Sequence, residues 1–167
     1  MAPAVFLGLG SNLGAREETL RRARGALQAR GFETRRSSSL YLTEPVGGPP
    51  QEWYVNQVLA GETSLAPAGL LSVCQQVEQA FGRTRGVKDA PRTLDVDLLL
   101  YGDELRDGPE LLLPHPRLHE RRFVLVPLAE IAPELRHPRV GLTVRELLAR
   151  CPDRSRVLPH APAGRPA

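Results

Sequence analysis

The sequence predicts a single α+β domain in which helices pack on one antiparallel sheet. The length of 167 residues suits one domain. Short apolar runs typical of strands alternate with stretches whose apolar residues recur at helical spacing. The order of these segments is strand, helix, strand, strand, helix, strand, and further helices follow. This order is the ferredoxin-like βαββαβ pattern, here with additional C-terminal helices.

The first half of the pattern follows from local signals. Residues 5–10 form a short apolar run that ends in glycines, which is typical of a buried strand followed by a turn. A helix is predicted from Ala15, because apolar residues then recur on one face until Gly31 ends it. Residues 32–42 predict one long strand, and residues 54–62 alternate well enough for another.

The second half contains the clearest strand. Residues 66–81 predict a helix, with Pro67 in an acceptable first-turn position. Residues 93–101 form the strongest strand pattern of the chain. Further helices are predicted within residues 120–131 and 143–150, the latter beginning with a threonine and a glutamate spaced as a capping box.

Two loops and a tail complete the organisation. Residues 44–50 contain three prolines and two glycines, and residues 82–91 lack apolar periodicity, so both segments are predicted to be loops. We expect one domain over residues 1–152. The Pro- and Arg-rich residues 153–167 are expected to be a loosely packed or disordered tail.

Composition excludes several classes of protein. Residues 133–167 carry seven Arg and three acidic residues, and Glu130 adds one acid, which accounts for the net charge of +3 because the rest of the chain is balanced. This charge therefore gives no indication of nucleic-acid binding. Uninterrupted apolar runs are far shorter than a membrane span, and no secretory signal is visible. The two cysteines form no CxxC motif. We expect a cytoplasmic monomer with free thiols that acts on small molecules, without nucleic-acid or membrane partners.

The strongest candidate for chemistry is a pair of carboxylates. Asp95 and Asp97 are two residues apart in a predicted strand, so they project to the same face of an otherwise apolar segment. Two carboxylates that close repel each other unless a cation lies between them. Mg²⁺ is the natural cation, since it takes oxygen ligands from one or two carboxylates and from substrate phosphates. The motif alone is equally compatible with a solvent-facing edge strand.

Basic residues precede this strand. Arg83, Arg85 and Arg92 lie in the loop that leads into it, and the planar guanidinium group suits phosphate oxygens. Each arginine alone could be an ordinary surface residue. Together with magnesium-binding carboxylates, they indicate phosphoryl transfer.

A second basic cluster surrounds His115, which stands between two prolines. A lone histidine is more often structural than catalytic. Arg121 is predicted near the start of a helix, where the positive end of the helix dipole makes a cation unfavourable. A bound anion would relieve that repulsion.

An asparagine lies in a predicted apolar strand. The amide of Asn56 must find hydrogen-bond partners there, and it could match the edge of a planar lactam-like ring. Tyr54 shares its strand face and could stack on such a ring. The alternative is an amide that neighbouring backbone groups satisfy. The glycines of residues 8–14 fit neither phosphate-binding fingerprint, so we expect them to allow a tight turn and close strand packing.

Six motifs occur in order along the chain: GLGSNLG at 8–14, YLTEPVG at 41–47, YVN at 54–56, Glu78 with GRTR at 82–85, PRTLDVDLLLY at 91–101 and LPHPRLHERRFVLVP at 113–127. Together they resemble the 6-hydroxymethyl-7,8-dihydropterin pyrophosphokinase family of folate biosynthesis, over residues from about 5 to about 150. Residues 86–91 lack a tryptophan that members often carry, so the family's loop kinetics are not carried over.

The resemblance implies transfer of diphosphate from ATP to the pterin hydroxymethyl group, with release of AMP, in tetrahydrofolate biosynthesis. It implies that Asp95 and Asp97 hold two Mg²⁺ ions and that Arg83 and Arg92 are catalytic residues on the phosphates. The further ATP contacts that it implies are Gln75, Glu78, Arg85, Leu98, His115 and Arg121. The pterin pocket that it implies, with two aromatic rings enclosing the heterocycle, consists of Thr43, Pro45, Val46, Tyr54, Asn56 and Phe123.

Two other classes of protein, a nucleotidyltransferase and an RNA-binding module, fit the sequence less well. A nucleotidyltransferase places a Gly-Ser turn close in sequence to its carboxylate pair, whereas Gly10 and Asp95 are more than 80 residues apart. A ferredoxin-like RNA-binding module needs aromatic residues on its central strands. This chain has only eight aromatic residues, and residues 93–101 carry acids where stacking rings would stand.

Overall fold

The computed structural model describes residues 3–47, 50–82 and 94–160. The strands are β1 Val5–Ser11, β2 Phe32–Ser37, β3 Tyr41–Thr43, β4 Tyr54–Thr63, β5 Asp95–Tyr101, β6 Arg106–Asp107, β7 Leu112–Leu113 and β8 Val157–Pro159. The α-helices are α1 Arg16–Ala29, α2 Pro67–Gly82, α3 Arg122–Ile131 and α4 Val144–Ala149, and a short 3₁₀ helix covers Leu118–Glu120.

The main sheet has the strand order β5-β1-β4-β3-β8, and β2 also pairs with β4. All of these pairings are antiparallel. Strands β6 and β7 form a separate small hairpin. The first strand therefore lies between the last strand and the third strand of the βαββαβ unit, which confirms the predicted ferredoxin-like α+β fold.

Apolar side chains cover both faces of this sheet. One buried cluster joins the α1 and α2 side to the sheet and includes Leu7, Leu27 and Val77. A second cluster joins α3 and α4 to the opposite face and includes Phe6 and Leu125. Since side chains alternate along a strand, Phe6, Gly8 and Gly10 of β1 all lie on the face that α3 and α4 cover. Those glycines leave a hollow on the α3 side of the sheet.

The prediction of one continuous strand over residues 32–42 is wrong. Three residues, 38–40, separate the pairs that β2 and β3 make, but they lie opposite only two residues of β4. The extra residue is a bulge. Ser38 fills it, because its hydroxyl accepts a hydrogen bond from the Val58 amide at 3.0 Å and its carbonyl accepts one from Gln57 Nε2 at 2.8 Å.

The described part of the predicted tail, residues 153–160, does not form a loose tail. Strand β8 pairs with β3, with Leu42 opposite Leu158. The Asp153 carboxylate accepts a hydrogen bond from the Arg122 amide at 3.0 Å. The edge of β3 offers unpaired backbone groups, and the short tail segment pairs with them although its composition does not suggest a strand. Residues 161–167 lie outside the described residues.

The helix predictions differ from the structure mainly at the helix ends. Helix α3 begins at Arg122, after the 3₁₀ turn, and contains Pro127 within it. The capping box predicted for α4 is present, with the Glu146 amide donating to Thr143 Oγ1 at 3.2 Å. Both cysteines are buried free thiols. None of the helices in the described ranges combines the length and the apolarity that a membrane span requires.

We expect Ser38→Ala to lower the free energy of unfolding by about 1–3 kcal/mol, because the buried Val58 amide loses its acceptor. The exposed neighbour Ser37 provides the control, and Ser37→Ala should change stability by less than about 0.5 kcal/mol. Urea unfolding with an unchanged m-value measures the difference. Equal stability of the two variants would contradict the role assigned to the bulge.

Candidate active site

A cavity of about 270 Å³ opens on the α3 side of the sheet. Strands β1, β4 and β5 form its floor, the segment after β3 forms one wall, and the residues from the 3₁₀ helix to the start of α3 form another. The side chains around it include carboxylates, an amide, two aromatic rings and guanidinium groups. The cavity therefore combines groups for a flat polar ring with groups for a charged ligand.

The floor depends on glycine. Gly10 of β1 stands in register with Asn56 on one side and Asp95 on the other. A Cβ atom on Gly10 would lie only 2.4 Å from Asn56 Oδ1. Gly8 likewise pairs with Asp97. The expected turn involves Gly14, which has a φ of 65° after β1, and the expected close strand packing involves Gly10. Gly8 and Gly10 themselves lie inside β1, and their alternation opposite two acids was the available signal.

The two carboxylates share the cavity, as the strand period predicts. Asp95 and Asp97 are both half-buried and both line the cavity, whereas Val96 between them is 4% exposed and faces the α2 side. The Val96 amide donates a hydrogen bond to Glu78 Oε2 at 2.9 Å. Glu78 on α2 therefore holds the backbone between the two aspartates.

This pair suits a hard cation that also binds a ligand. Among residues 3–47, 50–82 and 94–160, no three or more His, Cys, Asp or Glu residues are grouped so that they could hold a metal ion. The protein would thus supply two carboxylates, and water or ligand oxygens would complete the coordination. Mg²⁺ is commonly bound in this way, with substrate phosphates as further ligands.

The opposite half of the cavity presents flat and amide groups. Asn56 Nδ2 donates a hydrogen bond to Thr43 Oγ1 at 2.5 Å, so one amide hydrogen has a side-chain partner. Tyr54 and Phe123 both line this half, with Pro45 and Val46 beside them. Val46 is 56% exposed, so its side chain is available to a ligand. This set can enclose a planar heterocycle.

Arg121 connects the two halves. It is the residue that caps the start of α3, and its guanidinium carbon lies 5.5 Å from the centre of the Phe123 ring. The ring face attracts the cation, which offsets part of the unfavourable position at the helix start. Arg117 and Glu120 also line the cavity, and sequence reasoning missed both. Their position within the same motif as Arg121 was the available signal.

His115 belongs to the same segment as Arg117 and Arg121 but is not among the residues that line the cavity. Its amide donates to Leu99 O at 2.9 Å, and its Nδ1 accepts a hydrogen bond from the Arg117 amide at 3.2 Å. Burial, together with the charges of Arg121 and Arg117, lowers the pKa of His115 to about 4. The imidazole is therefore neutral at pH 7, with its proton on Nε2.

The remaining predicted residues are placed differently. Leu98 is 4% exposed in the cluster beneath α1 and α2, and Gln75 is exposed on α2, so neither lines the cavity. Glu78 contacts the site by accepting the hydrogen bond from the Val96 amide. Arg83, Arg85 and Arg92 lie outside the described residues. The cavity collects the other predicted residues except His115: Asp95, Asp97, Arg121, Thr43, Pro45, Val46, Tyr54, Asn56 and Phe123.

One buried group near the carboxylates is excluded as a nucleophile. Burial raises the pKa of the Cys74 thiol to about 12, and the negative charges of Glu78 and Asp97 contribute. The thiolate is the reactive form of cysteine, so Cys74 is inert at neutral pH. Its position beneath β5 is a packing position.

Comparison with known proteins agrees with this site. The family model for 7,8-dihydro-6-hydroxymethylpterin-pyrophosphokinase (HPPK) matches residues 6–133. A Pseudomonas aeruginosa protein named 2-amino-4-hydroxy-6-hydroxymethyldihydropteridine pyrophosphokinase is 45% identical over 154 residues, which cover 91% of this chain and 94% of that protein. A Bacillus subtilis protein of the same name is 44% identical over 132 residues, covering 78% and 79% of the two chains.

Solved structures support the fold. A crystal structure of wild-type Plasmodium falciparum HPPK-DHPS matches with a TM-score of 0.68 at 13% identity, and the match covers 90% of this chain. The match covers 45% of that longer chain, so this chain corresponds to less than half of it. The family model covers most of the chain and all of the described cavity residues. This chain therefore belongs to the 7,8-dihydro-6-hydroxymethylpterin-pyrophosphokinase family of enzymes.

Proposed function

We propose that this chain transfers diphosphate from ATP to the hydroxymethyl group of 6-hydroxymethyl-7,8-dihydropterin and releases AMP, as a step of tetrahydrofolate biosynthesis. The observation that carries the proposal is one cavity with a carboxylate pair at one end and an amide between aromatic rings at the other. Family membership makes this substrate pair the natural choice.

The pterin occupies the half of the cavity formed by β4 and the start of α3. The amide of Asn56 matches the adjacent donor and acceptor of the pterin ring edge, and Thr43 keeps that amide in one orientation. Tyr54 and Phe123 stack on the two ring faces. Pro45 and Val46 cover the remaining edge, which excludes water from the heterocycle.

The phosphates of ATP lie over the other half. Asp95 and Asp97 hold two Mg²⁺ ions, and their oxygen donors in a half-buried site fit that ion. When bound, Mg²⁺ neutralises charge on the phosphates and lowers the pKa of the acceptor hydroxyl. Arg121, which lies over Phe123, binds the phosphates of ATP. Arg83, Arg85 and Arg92 bind the same phosphates. Gln75, Glu78 and Leu98 do not line the cavity, and in this proposal they lie near the part of ATP outside it.

The reaction forms one bond and breaks one. The hydroxymethyl oxygen of the pterin attacks the β-phosphorus of ATP, and the bond from that phosphorus to the α-phosphate oxygen breaks, so AMP leaves. The hydroxyl proton passes to solvent or to AMP. The protein holds acceptor and donor in line and supplies positive charge where the transferred group is negative.

His115 contributes as a hydrogen-bond donor. Because its Nδ1 is occupied by the Arg117 amide, its Nε2–H is available to a phosphate oxygen. A neutral imidazole donates this bond without adding a third positive charge beside Arg117 and Arg121. We propose that the enzyme acts as a monomer on these small molecules.

The activity is tested with ATP, Mg²⁺ and 6-hydroxymethyl-7,8-dihydropterin. We expect AMP and the pterin diphosphate in equal amounts, since one diphosphate moves per turnover. Separation of nucleotides by ion-exchange chromatography measures them. Formation of ADP, or of AMP without the pterin, would show that the proposed reaction is wrong.

Asp97→Asn should lower kcat by at least about 100-fold, because the neutral amide keeps the size of the side chain but removes a charged oxygen ligand. The exposed Asp103 provides a matched control, and Asp103→Asn should keep wild-type rates. Thermal unfolding of both variants checks that the fold is intact. Undiminished turnover of the Asp97 variant would remove the assignment of this residue to the metal.

The lowered pKa of His115 predicts a pH dependence of stability. Between about pH 6.5 and pH 4 the unfolded chain binds a proton at His115 that the folded chain does not, so stability falls as the pH falls through this range. His115→Gln should remove this part of the slope, measured by urea unfolding at several pH values. An NMR titration should place the His115 midpoint near 4, and a midpoint near 6.5 would contradict its burial in this environment.

A further inference from the structure

Arg156, which directly precedes β8, contacts the loop that forms one wall of the cavity. We call its contacts with Glu44 and Trp53 the brace. The described residues of this loop, 44–47 and 50–53, begin beside Thr43 and end beside Tyr54, and both Thr43 and Tyr54 line the cavity. The Glu44 amide donates to Arg156 O at 3.0 Å, and the Arg156 amide donates to Glu44 Oε1 at 3.1 Å. The first residue of the loop is thus fixed to the start of β8.

The side chain of Arg156 reaches the other end of the same loop. Its guanidinium carbon lies 4.8 Å from the centre of the Trp53 ring, and its Nη2 lies 3.4 Å from Glu44 Oε2. One side chain therefore contacts both Glu44 and Trp53, which are nine residues apart in sequence. Since Tyr54 follows Trp53 directly, this contact fixes the position from which Tyr54 enters the cavity.

Two residues at the start of α1 make further contacts with this region. Arg16 Nη1 donates to Trp53 O at 2.7 Å. His160 Nε2 lies 2.6 Å from Glu17 Oε1, and the His160 amide donates to Leu40 O at 2.9 Å. The start of α1 therefore contacts both Trp53, on which Arg156 lies, and His160, which follows β8. These contacts explain why a cation, Arg16, stands in the first turn of a helix, where the dipole disfavours it.

The brace contributes to local order more than to global stability. The Arg156 side chain is 66% exposed, and an ion pair at such a position adds little to the free energy of unfolding. Holding a loop in its ligand-binding conformation instead reduces the ordering cost that a ligand must meet. Arg156 also lies beyond residue 133, where the match to the family model ends. It is absent from the cavity lining.

We propose that Arg156 is a positioning residue for the heterocyclic acceptor: through Glu44 and Trp53 it holds the wall that carries Thr43, Pro45 and Tyr54. The inference rests on the proposed function, in which this half of the cavity binds the pterin. Arg156 contacts Glu44 and Trp53, and β8 pairs with β3, whereas the carboxylate half belongs to β5 at the other end of the sheet. Loss of Arg156 therefore weakens acceptor binding selectively.

Arg156→Ala tests this selectivity, with the exposed Arg154→Ala on the same segment as the matched control. We expect the KM for the pterin to rise about two- to fivefold, which corresponds to one exposed cation–π contact. The KM for ATP and kcat should stay within about twofold of wild type. Equal increases in both KM values, or an unchanged KM for the pterin, would overturn the proposal.

The single tryptophan gives a readout that needs no turnover, since Trp53 is the only one in the chain. Arg156→Ala should change its emission maximum or intensity in the free protein, whereas Arg154→Ala should not. Arg156→Lys keeps a cation and should recover part of the pterin affinity. Unchanged emission in Arg156→Ala would contradict the contact with the ring.

A double-mutant cycle separates positioning from folding. In a Trp53→Leu background, Arg156→Ala should raise the KM for the pterin less than it does in wild type, because part of its target is already absent. Full additivity would show that Arg156 does not act through Trp53. If the wild-type enzyme itself makes no AMP, the proposed function fails, and the emission measurements still decide whether the brace exists.

Discussion

The site depends on one steric constraint, the close approach of groups above two glycines of the central strand. Gly8 and Gly10 stand between β5, which carries Asp95 and Asp97, and β4, which carries Asn56. Any side chain at Gly10 would occupy the position of the Asn56 amide. Because β1 contributes no side chain there, carboxylates and amide face one shared space. The antiparallel register places them there, and the two buried clusters on either face of the sheet hold that register.

Helices then supply what the strands cannot. On one side, Glu78 of α2 accepts a hydrogen bond from the Val96 amide between the two aspartates. This bond holds the start of β5 so that the side chains of Asp95 and Asp97 stay on one face. On the other side, Arg121 just before α3 and Phe123 in its first turn bring a cation and a ring to the cavity within three residues of chain. The neutral His115 belongs to the same segment, where burial and two guanidinium groups keep it unprotonated. The carboxylates of the cavity thus come from β5, whereas a cation and a ring come together from the start of α3.

Local patterns were sufficient for the parts of the fold that local physics determines. Strand period alone placed Asp95 and Asp97 on one face, and apolar spacing located α1 and α2. The bulge at Ser38 could not be predicted in this way, because it depends on which residues of β4 lie opposite. Strand β8 likewise depends on an available edge rather than on its own composition. Phe123 came from the family resemblance, since nothing near it in sequence indicates that it lines the same cavity as Tyr54.

Strand β8 also limits how molecules of this enzyme can associate. It covers the edge of β3, which would otherwise present unpaired backbone groups to another chain. The new edge is only three residues long and ends in Pro159, which has no amide hydrogen to donate. A second copy therefore finds a poor template for strand addition on this side of the sheet. The same short segment that supports the cavity wall thus protects the sheet against edge-to-edge aggregation.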